Sequence, residues 1–194
     1  MIAGLLLAAG FGRRFGGEKL MADLNGKPVV QWALEALRAE TDVVVGVVPP
    51  RAGAMRDLLS RPGVDLVENI AREEGMASSI RAGVHALPDE VDAVLIALGD
   101  QPFVSRAVIA ALIETFRATG ADAVAPAYRD GRGHPVLFAR SCFEALQHIT
   151  GDTGARRVLD QLGARCTLLT VDADAPLDID VPATLQSLAR PRAS

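Results

Sequence analysis

The sequence predicts an α/β fold: a single Rossmann-like, three-layer domain with a mostly parallel sheet. Short apolar runs alternate with helical patterns along nearly the whole chain. Several of those runs, such as DVVVGVV and VDAVLIAL, are apolar throughout, as in parallel strands buried on both faces. The length of 194 residues, 49% of them hydrophobic, suits one core better than two. Aromatic residues make up only 4%, so Leu, Val, Ile and Ala must fill that core.

The elements follow in order. Ile2–Ala8 reads as a buried strand and Pro28–Glu40 as a helix, with Val29, Trp32, Ala33 and Leu37 on one side. Asp42–Val48 is a second strand, stopped by Pro49-Pro50. Ala52–Ser60 is helical, Val64–Glu68 a strand, Gly75–Leu87 a helix and Val91–Leu98 a buried strand. Ser105 caps a helix running to Ala118. Asp122–Pro126 and Pro135–Ala139 are strands on either side of the turn-rich RDGRGH. Helices Arg140–Ile149 and Thr153–Leu162, strand Arg165–Val171 and a short helix Pro182–Leu188 complete the pattern, and the tail RPRAS is expected to fray.

Composition excludes several classes. A net charge of −4 argues against a general nucleic-acid binder. No apolar run approaches the ~18 residues of a membrane helix. Cys142 and Cys166 form no CxxC pair and read as reduced core thiols. The opening MIAGLLLAAG lacks the positive stretch of a signal peptide, since its charges follow the apolar run. A cytoplasmic protein is the expectation.

The chain opens with LLLAAGFGRRFGGEKL, placing Gly10, Gly12, Gly16 and Gly17 with Arg13, Arg14 and Lys19 just beyond the first strand. Ligands in such sheets bind beyond the carboxyl ends of the strands. A dinucleotide turn fits poorly, because the third glycine is one residue late and the second strand ends in VVPPR without an acid. A GxxxxGK[ST] loop is absent. A nucleoside triphosphate cradle fits: glycines let backbone N–H groups approach phosphate, and the three cations neutralise charge. A solvated loop with idle arginines is the plainer alternative.

Further candidates stand past other strands. Asp100, in VLIALGDQP, follows a buried strand, where a charge is costly unless paired or metal-bound; a helix N-cap is the alternative. In LDIDVP, alternation puts Asp178 and Asp180 on one face and Leu177, Ile179 and Val181 on the other, and Asp180 is either a metal ligand or a surface carboxylate. Ser78 or Ser79 could cap the helix in GMASSIRAG. His134, in Gly133-His134-Pro135, could be a turn histidine bonded to backbone. GDTGARR offers a glycine-flanked anion site, with Asp152 as N-cap and Arg156 and Arg157 on the next turn. His85 and His148 sit within helical patterns and read as structural.

Taken together, LLLAAGFGRRFGGEKLMADLNGKPVV, GMASSIRAG, LGDQPFV, GHPVLF, GDTGARRVL and DIDVP resemble, in order, the sequence blocks of the nucleotidyltransferases that act on molybdenum cofactor. The resemblance is to the molybdenum cofactor cytidylyltransferase family, related to the guanylyltransferases. Phe11 and Gly12 depart from it, standing where the family often has polar residues. The resemblance implies a nucleotide-diphospho-sugar transferase-like fold and transfer of CMP from CTP to the terminal phosphate of molybdopterin carrying Mo. Pyrophosphate would be released. Such a reaction joins two anions and needs charge neutralisation more than an acid–base pair.

The same resemblance implies residue roles. Ala8, Ala9, Gly10, Gly12, Arg13, Arg14, Lys19, Ser78 and Ser79 would bind nucleotide, with Arg14, Lys19 and Asp100 catalytic and Asp100 with Asp180 holding Mg²⁺. Relatives that use CTP read AAG where those that use GTP read AGG, so the Ala9 methyl would favour a pyrimidine. Gly133, His134, Pro135, Asp152 and Arg156 would face the pterin-bearing acceptor. Residues 1–105 would mainly bind nucleotide and 106–188 mainly acceptor, and a molybdenum hydroxylase could receive the product. A relative using GTP or another phosphate acceptor, or a cofactor carrier without turnover, are the competing expectations, and an oxidoreductase a more distant one.

Overall fold

The opening apolar run forms β1 (Ile2–Leu7), the strand from which both layers of core are built. Its side chains alternate: Leu6 enters the hydrophobic cluster on one side of the sheet, and Leu5 and Leu7 enter the other. Ala8 and Ala9 continue that alternation past the last strand residue. The computed structural model describes residues 1–189, and the expected frayed tail Arg190–Ser194 lies outside them.

After β1 comes a small hairpin, β2 (Asp23–Leu24) and β3 (Lys27–Pro28), followed by α1 (Val29–Glu40), β4 (Val43–Val48), α2 (Gly53–Leu59) and β5 (Val64–Glu68). Then come α3 (Met76–His85), β6 (Ala93–Leu98), α4 (Arg106–Thr119), β7 (Ala123–Tyr128), β8 (Gly131–Arg132) and β9 (Val136–Ala139). The chain continues through α5 (Phe143–Gln147), α6 (Arg156–Leu162), β10 (Cys166–Thr170) and α7 (Pro182–Ala189). The main sheet runs β10-β7-β9-β6-β1-β4-β5, with β8 paired to β7. Helices α1, α2 and α4 cover one face and α3, α5 and α6 the other, giving three layers.

The sheet is mostly parallel, as predicted. The exceptions are β9, which lies antiparallel between β6 and β7, and the two-residue β8, antiparallel to β7. Strand β9 separates the part of the sheet built on β6, β1, β4 and β5 from the part built on β7 and β10. Gly83 brings α3 close to the sheet: a Cβ there would overlap the side chains of Leu5 and Val47.

Several boundaries differ from expectation. The helix expected over Arg140–Ile149 is a 3₁₀ turn at Arg140–Cys142 followed by the short α5. The helix expected from Thr153 begins at Arg156. Ser105 does stand at the N-cap position of α4, but its side chain makes no capping bond. Cys142 and Cys166 are both free thiols. Among the described residues, no helix is long and apolar enough to cross a membrane.

Candidate active site

The glycine loop leaves β1 at the carboxyl edge of the sheet. The Ala8 amide still donates to Val47 O (2.8 Å), and Gly99 N donates to Leu7 O (2.9 Å), so the ends of β4 and β6 flank the loop's origin. Beyond Gly10 the chain turns back on itself, with Phe15 N donating to Gly12 O and Lys19 N to Gly17 O. A 3₁₀ turn at Lys19–Met21 then buries the lysine to 9% exposure.

Lys19 joins two distant carboxylates. Its Nζ donates to Asp100 Oδ2 (2.6 Å) and Asp180 Oδ1 (3.0 Å). Asp100 directly follows Gly99 at the end of β6, as the sequence places it. Asp180 is delivered by a backbone bond, Ile179 N to Asp100 O (3.0 Å), with Ile179 fully buried beneath. Burial pulls the Lys19 ammonium down, but Asp100 and then Asp180 more than offset it and raise its pKa above the ordinary lysine value. Arg14 Nη1 reaches Asp180 Oδ2 at 3.3 Å from a largely exposed position. Arg13 lies over Phe11, with its guanidinium 4.7 Å from the ring centre.

The strand alternation expected for this segment does not form: residues 174–180 are irregular, with Asp180 N donating to Asp178 O (3.1 Å), and Asp178 accepts a bond from Gln101 Nε2 (2.9 Å). Burial, followed by the neighbouring Asp100 charge, pushes its carboxyl up, with the Gln101 bond pulling the other way. Of the apolar residues expected on one face, Ile179 is buried but Leu177 is 61% exposed. The segment crosses the mouth of the site, so one side of it faces a cleft.

The serine-cap expectation is corrected at α3. The helix begins at Met76 with Gly75 in the cap position, and no side chain of its own segment caps it. Asp152 does this from elsewhere in the chain, with Met76 N donating to its Oδ1 (3.3 Å), while Ala77 N donates to Gly151 O. A Cβ on Gly75 would overlap that carboxylate. Asp152 is therefore not the N-cap of α6, where Ala155 holds the position. Ser78 and Ser79 are buried, and both hydroxyls accept bonds from Asn69 Nδ2 (2.8 and 2.9 Å). Ser78 also donates to Gly75 O (2.8 Å). Ser79 lines a cavity of about 250 Å³ with Ala9, Gly10, Lys19 and Asp100. Ser78 does not line it.

A larger cleft of about 540 Å³ adjoins this cavity through Met76, Leu98 and Asp152. Gly133, His134, Asp152 and Arg156 all line it, although they come from segments well apart in sequence. Pro135 is buried beside them and does not line it. His134 Nδ1 lies 3.4 Å from Ile96 O, and its own carbonyl accepts from the Tyr128 hydroxyl (2.9 Å). Burial lowers the His134 pKa, against the Ile96 bond and the Asp100 charge, so the ring is neutral near pH 7.

The sequence pattern missed Asn69, Gln101, Arg51 and Arg72. Gln101, Arg51 and Arg72 each act through a partner far along the chain or line a cavity of the folded site, and Asn69 bonds two serines nine and ten residues on, so no single motif marks them.

A family model described as MobA-like NTP transferase domain matches residues 4–166, most of the chain and every part of the glycine loop. The chain belongs to the MobA-like NTP transferase family. Within curated relatives, it is 29% identical to the purine catabolism protein PucB of Bacillus subtilis, over 93% of this chain and 92% of that one. It is 32% identical to nicotine blue oxidoreductase of Paenarthrobacter nicotinovorans, over 82% of each. A probable molybdenum cofactor guanylyltransferase of Thermococcus gammatolerans is 28% identical over 71% of this chain and 69% of that one. The crystal structure of Rv0371c from Mycobacterium tuberculosis superimposes with a TM-score of 0.86 at 29% identity, over 97% of both chains. A complex of Rv0371C with manganese matches with a TM-score of 0.82 at 27% identity, again over 97% of both.

For this MobA-like domain, the donor set fits a hard divalent cation. Asp100 and Asp180 already converge on one cationic atom, and both offer carboxylate oxygen, which suits Mg²⁺. Among the described residues, no group of three His, Cys, Asp or Glu side chains is placed to hold a metal. The remaining ligands would therefore have to be phosphate oxygens and water, as is common for Mg²⁺ with nucleotides.

Proposed function

We propose that this MobA-like nucleotidyltransferase is a Mg²⁺-dependent cytidylyltransferase that joins CMP from CTP to the terminal phosphate of molybdopterin carrying Mo. A phosphate oxygen of the acceptor attacks the α-phosphorus of CTP. The bond from that phosphorus to the β-phosphate oxygen breaks, and pyrophosphate leaves. The observation that carries the proposal is the Lys19 bridge to Asp100 and Asp180, with Lys19 and Asp100 lining a small cavity at the glycine loop that adjoins the larger cleft around His134.

In this proposal Arg14 and Lys19 neutralise the triphosphate and the charge that gathers on pyrophosphate. Asp100 and Asp180 would hold Mg²⁺, which supplies Lewis-acid stabilisation of the phosphoryl oxygens when bound. Ser79 and Ala9 line the nucleoside cavity, and the Ala9 methyl narrows its floor against a purine. Ser78 positions Ser79 through their shared partner Asn69. Residues 1–105 serve mainly the nucleotide and 106–188 mainly the acceptor, with Gly133, His134, Asp152 and Arg156 on the acceptor cleft. The product passes to a molybdenum hydroxylase.

Two relatives favour other outcomes. The Thermococcus protein is named a guanylyltransferase, which favours GTP as donor, and the Paenarthrobacter protein is named an oxidoreductase. The lysine–carboxylate cluster serves phosphoryl chemistry and has no use in hydride transfer. The test is transfer of label from α-labelled CTP to molybdopterin with Mg²⁺, beside γ-labelled CTP, GTP and a nicotinamide-binding assay. Pterin labelled only from α-labelled CTP supports the proposal. Label from GTP alone, or nicotinamide binding without transfer, overturns it.

A further inference from the structure

The glycine loop faces two cavities that share Gly10, Phe11, Lys19, Leu20 and Arg72. The first holds Ala9, Ser79 and Asp100. The second, about 370 Å³, runs from the loop to the chain just past β4 and has no assigned ligand. Its charged lining is Lys19, Arg51 and Arg72 against the single acid Glu18. In a protein of net charge −4, that is a local reversal of sign.

Both arginines are held unusually. Arg51 has φ +59°, a left-handed conformation uncommon outside glycine, at the turn that brings its side chain to the cavity. The Arg72 guanidinium lies 3.8 Å from the Phe11 ring centre, and its Nη2 donates to Gly10 O (3.2 Å). Its Nε is shut off from solvent and finds no acceptor among the described residues. Arg13 stands 4.7 Å from the same ring. Burial pushes the Arg72 guanidinium below its ordinary value; Glu73 opposes this and the Arg13 charge adds to it. Two like charges beside one apolar ring, with a buried donor unfilled, form an arrangement that an anion would complete.

We propose that Arg51 and Arg72 bind polyphosphate: the cavity beneath the glycine loop takes the β- and γ-phosphates of the nucleotide, with Phe11 as the platform that holds Arg72 in place. The proposal rests on the nucleotidyltransferase assignment and adds two residues that lie outside the glycine signature. Phe11, the departure from the family pattern, gains a reason: an apolar ring at that position can orient a guanidinium that a small polar side chain could not stack.

The test is calorimetric binding of inorganic pyrophosphate, CTP and CMP, each with Mg²⁺, to wild type, Arg51→Gln, Arg72→Gln and Arg72→Lys. Loss of one charge-assisted contact is expected to weaken pyrophosphate and CTP at least about tenfold in both Gln variants, with CMP nearly unchanged. Arg72→Lys, which keeps the charge and loses the planar stack, should fall between. Unchanged pyrophosphate affinity overturns the proposal, as does an equal loss for CTP and CMP, which would make Arg72 a mere loop staple. The exposed Arg51 gives a second answer if Arg72→Gln does not fold. If the variants lose pyrophosphate but wild type transfers nucleotide to no acceptor, the transferase assignment falls and the anion pocket stands. If transfer is normal and binding unaltered in the variants, only the pocket falls.

Discussion

Lys19 donates a 2.6 Å hydrogen bond to Asp100, joining the end of the glycine loop to the end of β6 across 81 positions of sequence. Asp180 closes the same cluster from the far end of the chain. The lysine thus holds together the two carboxylates assigned to the metal. Binding of Mg²⁺ with a triphosphate would give those carboxylates a new cation and give Lys19 a new anion. Without a metal, the Lys19 ammonium, joined by Arg14 at Asp180, offsets the charge of the two acids and lets them stay together.

Lys19→Ala should lower turnover far more than it weakens CTP binding. A contact that strengthens as charge gathers on pyrophosphate lowers the barrier more than it tightens the ground state. Loss of one preorganised donor costs about 3–4 kcal/mol, or two to three powers of ten in rate. Turnover at saturating CTP and CTP affinity, measured separately on the folded variant, check this. Near-normal turnover would remove Lys19 from the chemistry, and a loss confined to affinity would make it a ground-state phosphate contact.

Asp100→Asn and Asp180→Asn should each weaken Mn²⁺ binding in the presence of CTP. Changes in groups that merely support a metal ligand already cost ~10–100-fold, so loss of a ligand should cost roughly tenfold or more. Electron paramagnetic resonance reads free Mn²⁺ directly, without turnover. Asp178, held by Gln101 and with its pKa raised by burial, should matter less. If Asp178→Asn proves the most damaging of the three, the ligand assignment is wrong.

Ala9→Gly should relax the preference for CTP over GTP, because it removes the methyl group that narrows the cavity shared with Ser79 and Asp100. Competition between the two nucleotides gives the ratio directly. Equal use of both by the wild-type protein would end the steric account.

The buried His134 predicts a pH-dependent stability. Its folded pKa lies below the unfolded value of 6.5, mainly through burial. The unfolded chain therefore binds the proton first as pH falls. Its contribution is fully present above the unfolded pKa and is lost as pH drops through that value toward the folded one. Thermal melts of wild type and His134→Gln between pH 5 and 8 should differ in slope below pH 6.5, with the variant flatter. Parallel slopes would show that the histidine does not titrate differently on folding.

The strands of the fold were legible because each is an apolar run buried on both faces, and the glycine loop because its glycines and cations are consecutive. Asp100 was legible from its place after a buried strand. The β2–β3 hairpin has its own local signal in Asn25-Gly26, both with positive φ, the two-residue turn that suits such a hairpin. The antiparallel entry of β9 depends on which strands pair, and no local pattern encodes that. Asp152 capping α3, Asn69 bridging two serines and Arg72 stacking on Phe11 are contacts between segments that only the folded chain brings together.

The most direct measurement is pyrophosphate release by the full chain with molybdopterin, Mg²⁺ and each of the four nucleoside triphosphates in turn. The account predicts release that requires both Mg²⁺ and acceptor, is fastest with CTP and falls by two to three powers of ten in Lys19→Ala. Absence of release with every triphosphate, release fastest with a nucleotide other than CTP, or release unaffected by loss of Lys19 would contradict it.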